Sequence, residues 1–263
     1  MSTHDSAGLF RDLFQLPEAC SVSQRIAKAA LIEHADLAPG DRKTLQNHVQ
    51  GVTVVAVVDP YTSGIPAFHG RTGSDLERDY AEIHVIDVAF SVGVKQSAVQ
   101  RFVEVLHRAI PNPTILLACA NDDVNLSLAP KHVSAADSSR VVLDRITAVS
   151  LAKLPSEPDL FSIGAQHTPH LEGLYRSWES KILAVELAGI WDVDPAQILR
   201  AGVDDALPAV LLLQRSIQAQ MQILQNQLRK EKQMAERVTL NTSIHVLRAQ
   251  LQLAKENFAL AGR

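Results

Sequence analysis

Residues Ala109–Lys131 read AIPNPTILLACANDDVNLSLAPK. Pro111-Asn112-Pro113 fixes the entry, and Thr114–Ala120 is an apolar run of strand length. Asn121-Asp122-Asp123 then supplies turn chemistry. Beyond the turn Val124, Leu126 and Leu128 alternate with Asn125, Ser127, Ala129 and Lys131, the period of a strand with two unlike faces. The stretch predicts a strand, a tight turn and a second strand. Pro130 cannot donate to a ladder, so the second strand is expected to lie at a sheet edge, with Lys131 as an edge or contact lysine.

The same periods recur on either side. In EIHVIDVAFS (Glu82–Ser91), Ile83, Val85 and Ala89 point one way and His84, Ile86, Val88 and Phe90 the other. Val99, Phe102, Val103 and Leu106 then form one helical stripe. VTVVAVV (Val52–Val58) is apolar on both alternations, which predicts a central strand buried on both faces, ended by the turn residues of DPYTSGIP. Before it, Val22, Ile26 and Ala30 follow a Ser21 cap at helical spacing, and a second helix starts near Asp41 with Leu45 and Val49. Ser139–Val149 reads as one further strand. Residues 1–160 are thus expected to form an α+β domain with a mixed or antiparallel sheet and flanking helices.

Residues 161–206 read as a helical connector. Thr168 caps a helix with Pro169 at its first position, and Leu171, Leu174, Tyr175, Trp178, Ile182 and Val185 form its apolar stripe. A short helix follows Asp194-Pro195. Residues 207–263 predict a long antiparallel helical hairpin. Leu213, Ile217, Met221, Leu224 and Leu228 line one helix; Ile244, Leu247, Leu251, Ala254 and Phe258 give the other a coiled-coil seam. Thr239-Leu-Asn-Thr-Ser243 is the expected break between them.

Composition narrows the function classes. The 263 residues carry a net charge of −4, so the whole chain has no basic signature for nucleic acid. The sign is uneven, because residues 207–263 hold eight Lys/Arg against three Asp/Glu. Cys20 and Cys119 lie far apart without CxxC spacing, which suits reduced thiols in a cytoplasmic protein. No apolar run reaches membrane-spanning length, and MSTHDSAG has no signal-peptide pattern.

Motifs for chemistry are sparse. There is no Walker loop, GxGxxG or GxSxG. His167-x-x-His170 lacks further ligands at matching spacing, so no metal or cofactor is expected. A metal-dependent nuclease would need two acids and a lysine together on adjacent strands. Glu82, Asp87 and Lys131 are the candidates, but the five-residue separation of the two acids sends them to opposite faces, and Ala129 stands two residues before the lysine. No catalytic residue is assigned. Arg229, Lys230, Lys232 and Arg237 cluster where the first hairpin helix ends, and could meet phosphates, with Lys28, Lys43 and Lys131 as further candidates.

Several stretches together resemble a bacterial family known as domain-of-unknown-function family 4391. They are LFQLPE, the spaced Lys28 and Lys43, EIHVIDVAF, AIPNPTILLA, the strand ending in Lys131, and LRKEKQMAERVTLNTSIHVLRAQLQ (Leu228–Gln252). The resemblance implies companions of helicases and DNA methyltransferases in restriction-like, anti-phage loci. It implies no catalytic residues. The resulting expectation is a non-catalytic accessory or scaffold protein. It would dock a helicase, a DNA methyltransferase or a second copy through Leu224, Ile244, Leu247 and Leu251. A nucleic-acid-binding module and a divergent nuclease are the alternatives.

Overall fold

The computed structural model describes residues 6–34, 37–71, 76–121, 123–137, 141–155, 159–200 and 206–261. In chain order the elements are α1 (Ser6–Phe14), β1 (Ser21–Arg25), α2 (Lys28–His34), α3 (Pro39–Asn47), β2 (Val49–Val58), α4 (Pro60–Ser63), β3 (Phe68–Arg71) and β4 (Glu77–Tyr80). Then come β5 (Ile83–Phe90), α5 (Gln96–Ala109), β6 (Thr114–Ala120), β7 (Asp123–Leu128), β8 (Lys131–Val133), β9 (Val141–Leu143) and β10 (Thr147–Ser150). The chain finishes with α6 (Leu171–Trp191), α7 (Pro195–Arg200), α8 (Leu207–Lys230) and α9 (Met234–Ala261). The fold is α+β, with a mixed sheet followed by a helical region. Two compact units divide it, Met1–Ile182 and Leu183–Arg263.

The main sheet of the first unit runs β1-β2-β5-β6-β7-β10, and β3/β4 and β8/β9 form two small ladders. Among the described residues only β5 and β6 pair in parallel, which requires the crossover that α5 supplies. α3 and α5 cover one sheet face, where Val52, Val54, Ile86, Val88, Phe90, Leu116 and Ala118 meet Leu45, Val99, Phe102 and Leu106.

The apolar run in β2 has a more specific cause than burial on both faces. Its register slips between Val54 and Ala56. A bulge there adds one residue and reverses the alternation. Val52 and Val54 face the α3/α5 core before it, and Val57 returns to that core after it. An apolar residue is therefore useful on both alternations within one strand.

Four expectations are corrected. Ser21–Arg25 is a strand rather than a helix start, since it pairs antiparallel with β2 and all five residues are exposed. The helical spacing of Val22, Ile26 and Ala30 is overridden by that pairing. The predicted strand Ser139–Val149 is two strands, β9 pairing with β8 and β10 with β7, parted by Asp144-Arg145-Ile146 (residues 138–140 lie outside the described set). Because β10 takes the outer place, β7 is an interior strand and not an edge. Lys131 starts β8 and is only 3% exposed, so it is not an edge lysine. The predicted turn residue Asp122 lies outside the described residues; Asn121 beside it has φ 50, the left-handed geometry a tight turn needs.

Helix ends differ as well. α3 stops at Asn47, and Val49 begins β2. α6 begins at Leu171, where the His170 ring accepts the Gly173 N–H at 3.0 Å in place of a Thr168 cap. In the second unit the break between the long helices falls at Glu231–Gln233, and α9 runs unbroken through residues 239–243. Thr239, Thr242 and Ser243 donate to the carbonyls of Ala235, Val238 and Thr239, so their hydroxyls are spent on the helix's own backbone instead of ending it.

Candidate functional site

The end of α5 and the Pro111-Asn112-Pro113 loop lie against β8, and Lys131 joins them. Its Nζ donates to the carbonyl of Ile110 at 2.5 Å and to that of Asn112 at 2.6 Å. Ile110 is the C-cap of α5, so the lysine satisfies a carbonyl that the helix leaves open. Asn112 in turn donates from Nδ2 to Glu82 Oε1 at 2.7 Å, and the same oxygen lies 2.7 Å from His84 Nε2. Lys131, Asn112, Glu82 and His84 thus form one connected chain. It borders a pocket of about 170 Å³ walled by Asp79, Ala81, Glu82, Pro111, Asn112, Pro113, Lys131, His132, Val133 and Val141.

A buried ionic layer supports the pocket. Arg78 donates to the Lys131 carbonyl at 2.7 Å and to Asp144 Oδ2 at 2.7 Å. His132 Nδ1 lies 2.6 Å from Asp144 Oδ1, and Arg176 approaches Asp144 at 3.8 Å. Arg176 also contacts Glu172, and Glu179 receives Arg145 at 2.7 Å. The Tyr175 hydroxyl ties α6 to the sheet, donating to the Thr114 carbonyl at 2.7 Å and accepting the Ala129 N–H at 2.8 Å.

Burial and these partners set the charge states. Burial pushes Asp144 up, but the hydrogen bonds from His132 and Arg78 and the charges of Arg78 and Arg176 outweigh it and hold the carboxyl below its ordinary 3.8. At Glu179 burial wins over Arg145 and Arg176 and raises the pKa. At Lys131 burial alone lowers it from 10.5 to about 7. Burial, with the Lys131 charge nearby, pushes His107 well down.

The Lys131 shift has a stability consequence. The unfolded chain keeps this proton up to its ordinary 10.5, whereas the folded chain releases it at about 7. The unfolded state therefore binds more protons across that window, and stability should rise as pH climbs through it. Urea midpoints of the wild type should climb more steeply from pH 7 to 10 than those of Lys131→Met. Parallel curves would contradict the burial of the amine.

Glu82 and Lys131, two of the residues considered for a nuclease, line the same pocket. Asp87 does not join them. It sits within β5, where Cys119 Sγ lies 3.5 Å from its Oδ1. Among the described residues no group of three or more His, Cys, Asp or Glu could hold a metal ion. His170 packs on Phe68 with ring centroids 4.5 Å apart and caps α6, so half of the His-x-x-His pair has a structural task. Asn112 and the ionic layer escaped sequence reading. Their one visible sign is Glu172, Arg176 and Glu179 on α6, interleaved with Tyr175 and Trp178 in an otherwise apolar stripe.

In the second unit Arg229, Lys230, Lys232 and Arg237 are all exposed around the turn between α8 and α9. Ile244 is buried, and Leu224, Leu247 and Leu251 are partly buried. They share helical faces with Ile217 and Phe258, two of the buried positions of the helices. Lys43 is exposed on α3 and Lys28 half-buried on α2.

The sequence model of the family described as Domain of unknown function (DUF4391) matches residues 14–251. The chain belongs to that family. The match spans the sheet, the pocket and most of the hairpin of this DUF4391 member. No curated protein and no solved structure matches the chain. Among the described residues no helix is long and apolar enough to cross a membrane.

Proposed function

We propose that this DUF4391 protein is a non-catalytic accessory subunit of a bacterial DNA-targeting, restriction-like defence system. Its hairpin docks a protein partner, a helicase or DNA methyltransferase, that offers an apolar helix flanked by acidic residues. One observation carries the reading: α9 has an apolar stripe beyond the seam. Val238, Val246 and Leu253 are 59%, 53% and 57% exposed. Thr242 and Ala249 fall between them on the same helical face and Ala235 precedes them, which keeps the stripe flat. From Ala235 to Leu253 it runs about 27 Å at 1.5 Å per residue. The excess of eight Lys/Arg over three Asp/Glu in residues 207–263 gives the acidic flanks their counterpart.

The structure refines the variants that test this. Leu247 and Leu251 belong to the seam, so Asp there should loosen the hairpin itself. Val246→Asp with Leu253→Asp should leave the melting temperature unchanged while removing the partner from co-purification with the native operon's products. Retention of the partner would sink the reading. A homodimer that the same pair of changes splits would assign the stripe to a second copy instead.

The second reading is nucleic-acid contact at the hairpin turn, favoured by the four exposed cations within nine positions. Replacing Lys230, Lys232 and Arg237 together should weaken DNA binding and flatten its salt dependence by about three phosphate contacts. Absence of wild-type binding at low ionic strength would dispose of it.

A further inference from the structure

The docking surface leaves the pocket at Lys131 without a task. At about 170 Å³ it is smaller than the roughly 300–1,000 Å³ of drug-sized sites. It therefore admits a ligand of a few heavy atoms. Pro111, Pro113, Val133 and Val141 give it apolar walls, and Lys131 contributes an amine. The contacts of that amine are two backbone carbonyls, at 2.5 and 2.6 Å. Two carbonyls take up the two N–H bonds of a neutral amine and leave the nitrogen lone pair. We propose that Lys131 is a carbonyl-reactive lysine, whose Nζ forms an imine with a small uncharged aldehyde or ketone in this pocket.

An ammonium has no lone pair to attack with, so a nucleophilic lysine must be neutral near working pH, and desolvation is one way to make it so. Burial lowers the Lys131 pKa to about 7, which leaves much of it unprotonated near neutrality. Of the charged and titratable groups around it, the pocket carboxylates favour the ammonium form, and burial outweighs them. Arg78 is engaged with the lysine's own carbonyl and with Asp144, and His107 on α5 is held neutral by burial. Asp79, Glu82 and His132 stand in the pocket wall. The two carboxylates disfavour anionic carbonyl compounds such as 2-oxo acids and leave uncharged ones.

The step balances without an oxidant. The nitrogen lone pair attacks the carbonyl carbon, the new C–N bond forms, and one N–H proton moves to the oxygen to give a carbinolamine. The C–O bond then breaks, the second N–H proton leaves with the hydroxyl as water, and the C=N bond of the imine remains.

Propionaldehyde with cyanoborohydride, applied to the full chain at pH 7 and followed by peptide mass spectrometry, reads this directly. Reduction of the imine should fix the label on Lys131 at least about tenfold faster than on the exposed Lys43, Lys95 and Lys230. The advantage should shrink toward pH 10 and vanish in urea. Labelling of Lys131 no faster than the exposed lysines at pH 7 would overturn the assignment. So would a preference that survives unfolding, because it would owe nothing to the pocket.

Discussion

Trp178→Ala should cost the first unit about 3–5 kcal/mol, the range for deleting a large buried aromatic side chain. Trp178 is fully buried on α6. Its ring stands edge-on to Phe14 at 4.8 Å between centroids, and Phe14 meets Phe161 at 5.8 Å. The indole N–H also donates to the Phe161 carbonyl at 2.8 Å. Truncation would therefore open a cavity between α1, α6 and the segment before α6, and strand a buried carbonyl. A loss of this size is a large part of the roughly 5–15 kcal/mol that holds a domain together. Trp178→Phe should refill much of the space and cost about 1–3 kcal/mol, mostly through the lost hydrogen bond. Denaturant midpoints for both variants check the pair. A Trp178→Ala loss under about 1 kcal/mol would contradict the packing.

Arg78→Leu is the second severe change. Arg78 is 3% exposed and spans from β4 to the Lys131 carbonyl and to Asp144. Removing one partner of a buried ion pair costs about 3–5 kcal/mol, because the other is left uncompensated. Asp144 keeps His132 and Arg176, so the lower end of that range is expected. The pH dependence gives an independent check. The folded Asp144 carboxyl lies below its ordinary 3.8, so its contribution to stability is complete above that value. It is lost as pH falls through the folded pKa. Arg78→Leu removes part of the depression. The gap between wild type and variant should be full at neutral pH and should narrow below about pH 4. A gap that stays constant down to pH 2 would mean that Asp144 is not what Arg78 holds.

What could be read in advance follows the strength of the periodic signal. β5, α5 and the β6–β7 hairpin carry long apolar patterns, and their places come straight from alternation and helical spacing. β1 was unreadable because SVSQR is polar and exposed, and its strand state comes only from pairing with β2. The split at Asp144-Arg145-Ile146 was hidden because both polar residues look like surface positions. Arg78 and Glu179 take them inward, from segments 66 and 34 positions away. Lys131 misled for a similar reason. A lysine after a proline reads as a strand end, and only the closing of the Pro-Asn-Pro loop over β8 buries it. Leu224, Ile244, Leu247 and Leu251 and the exposed stripe of Val238, Val246 and Leu253 carry similar apolar spacings in the sequence. A seam and an outer face look alike until the turn at Glu231–Gln233 fixes which one closes.

The strand order also sets where the molecule breathes. β5 and β6 are hydrogen-bonded on both sides by neighbours, with α5 laid across them. β1 has five exposed residues and an interrupted register, and β10 has only four residues. Local opening costs least where few buried contacts must break. Amide hydrogens of β1 and β10 should exchange with solvent first, and those of Val85–Ala89 and Ile115–Ala118 last, at the rate of global unfolding. The parallel pair is then the last ladder standing, and the pocket's Pro111–Pro113 loop leads directly into it.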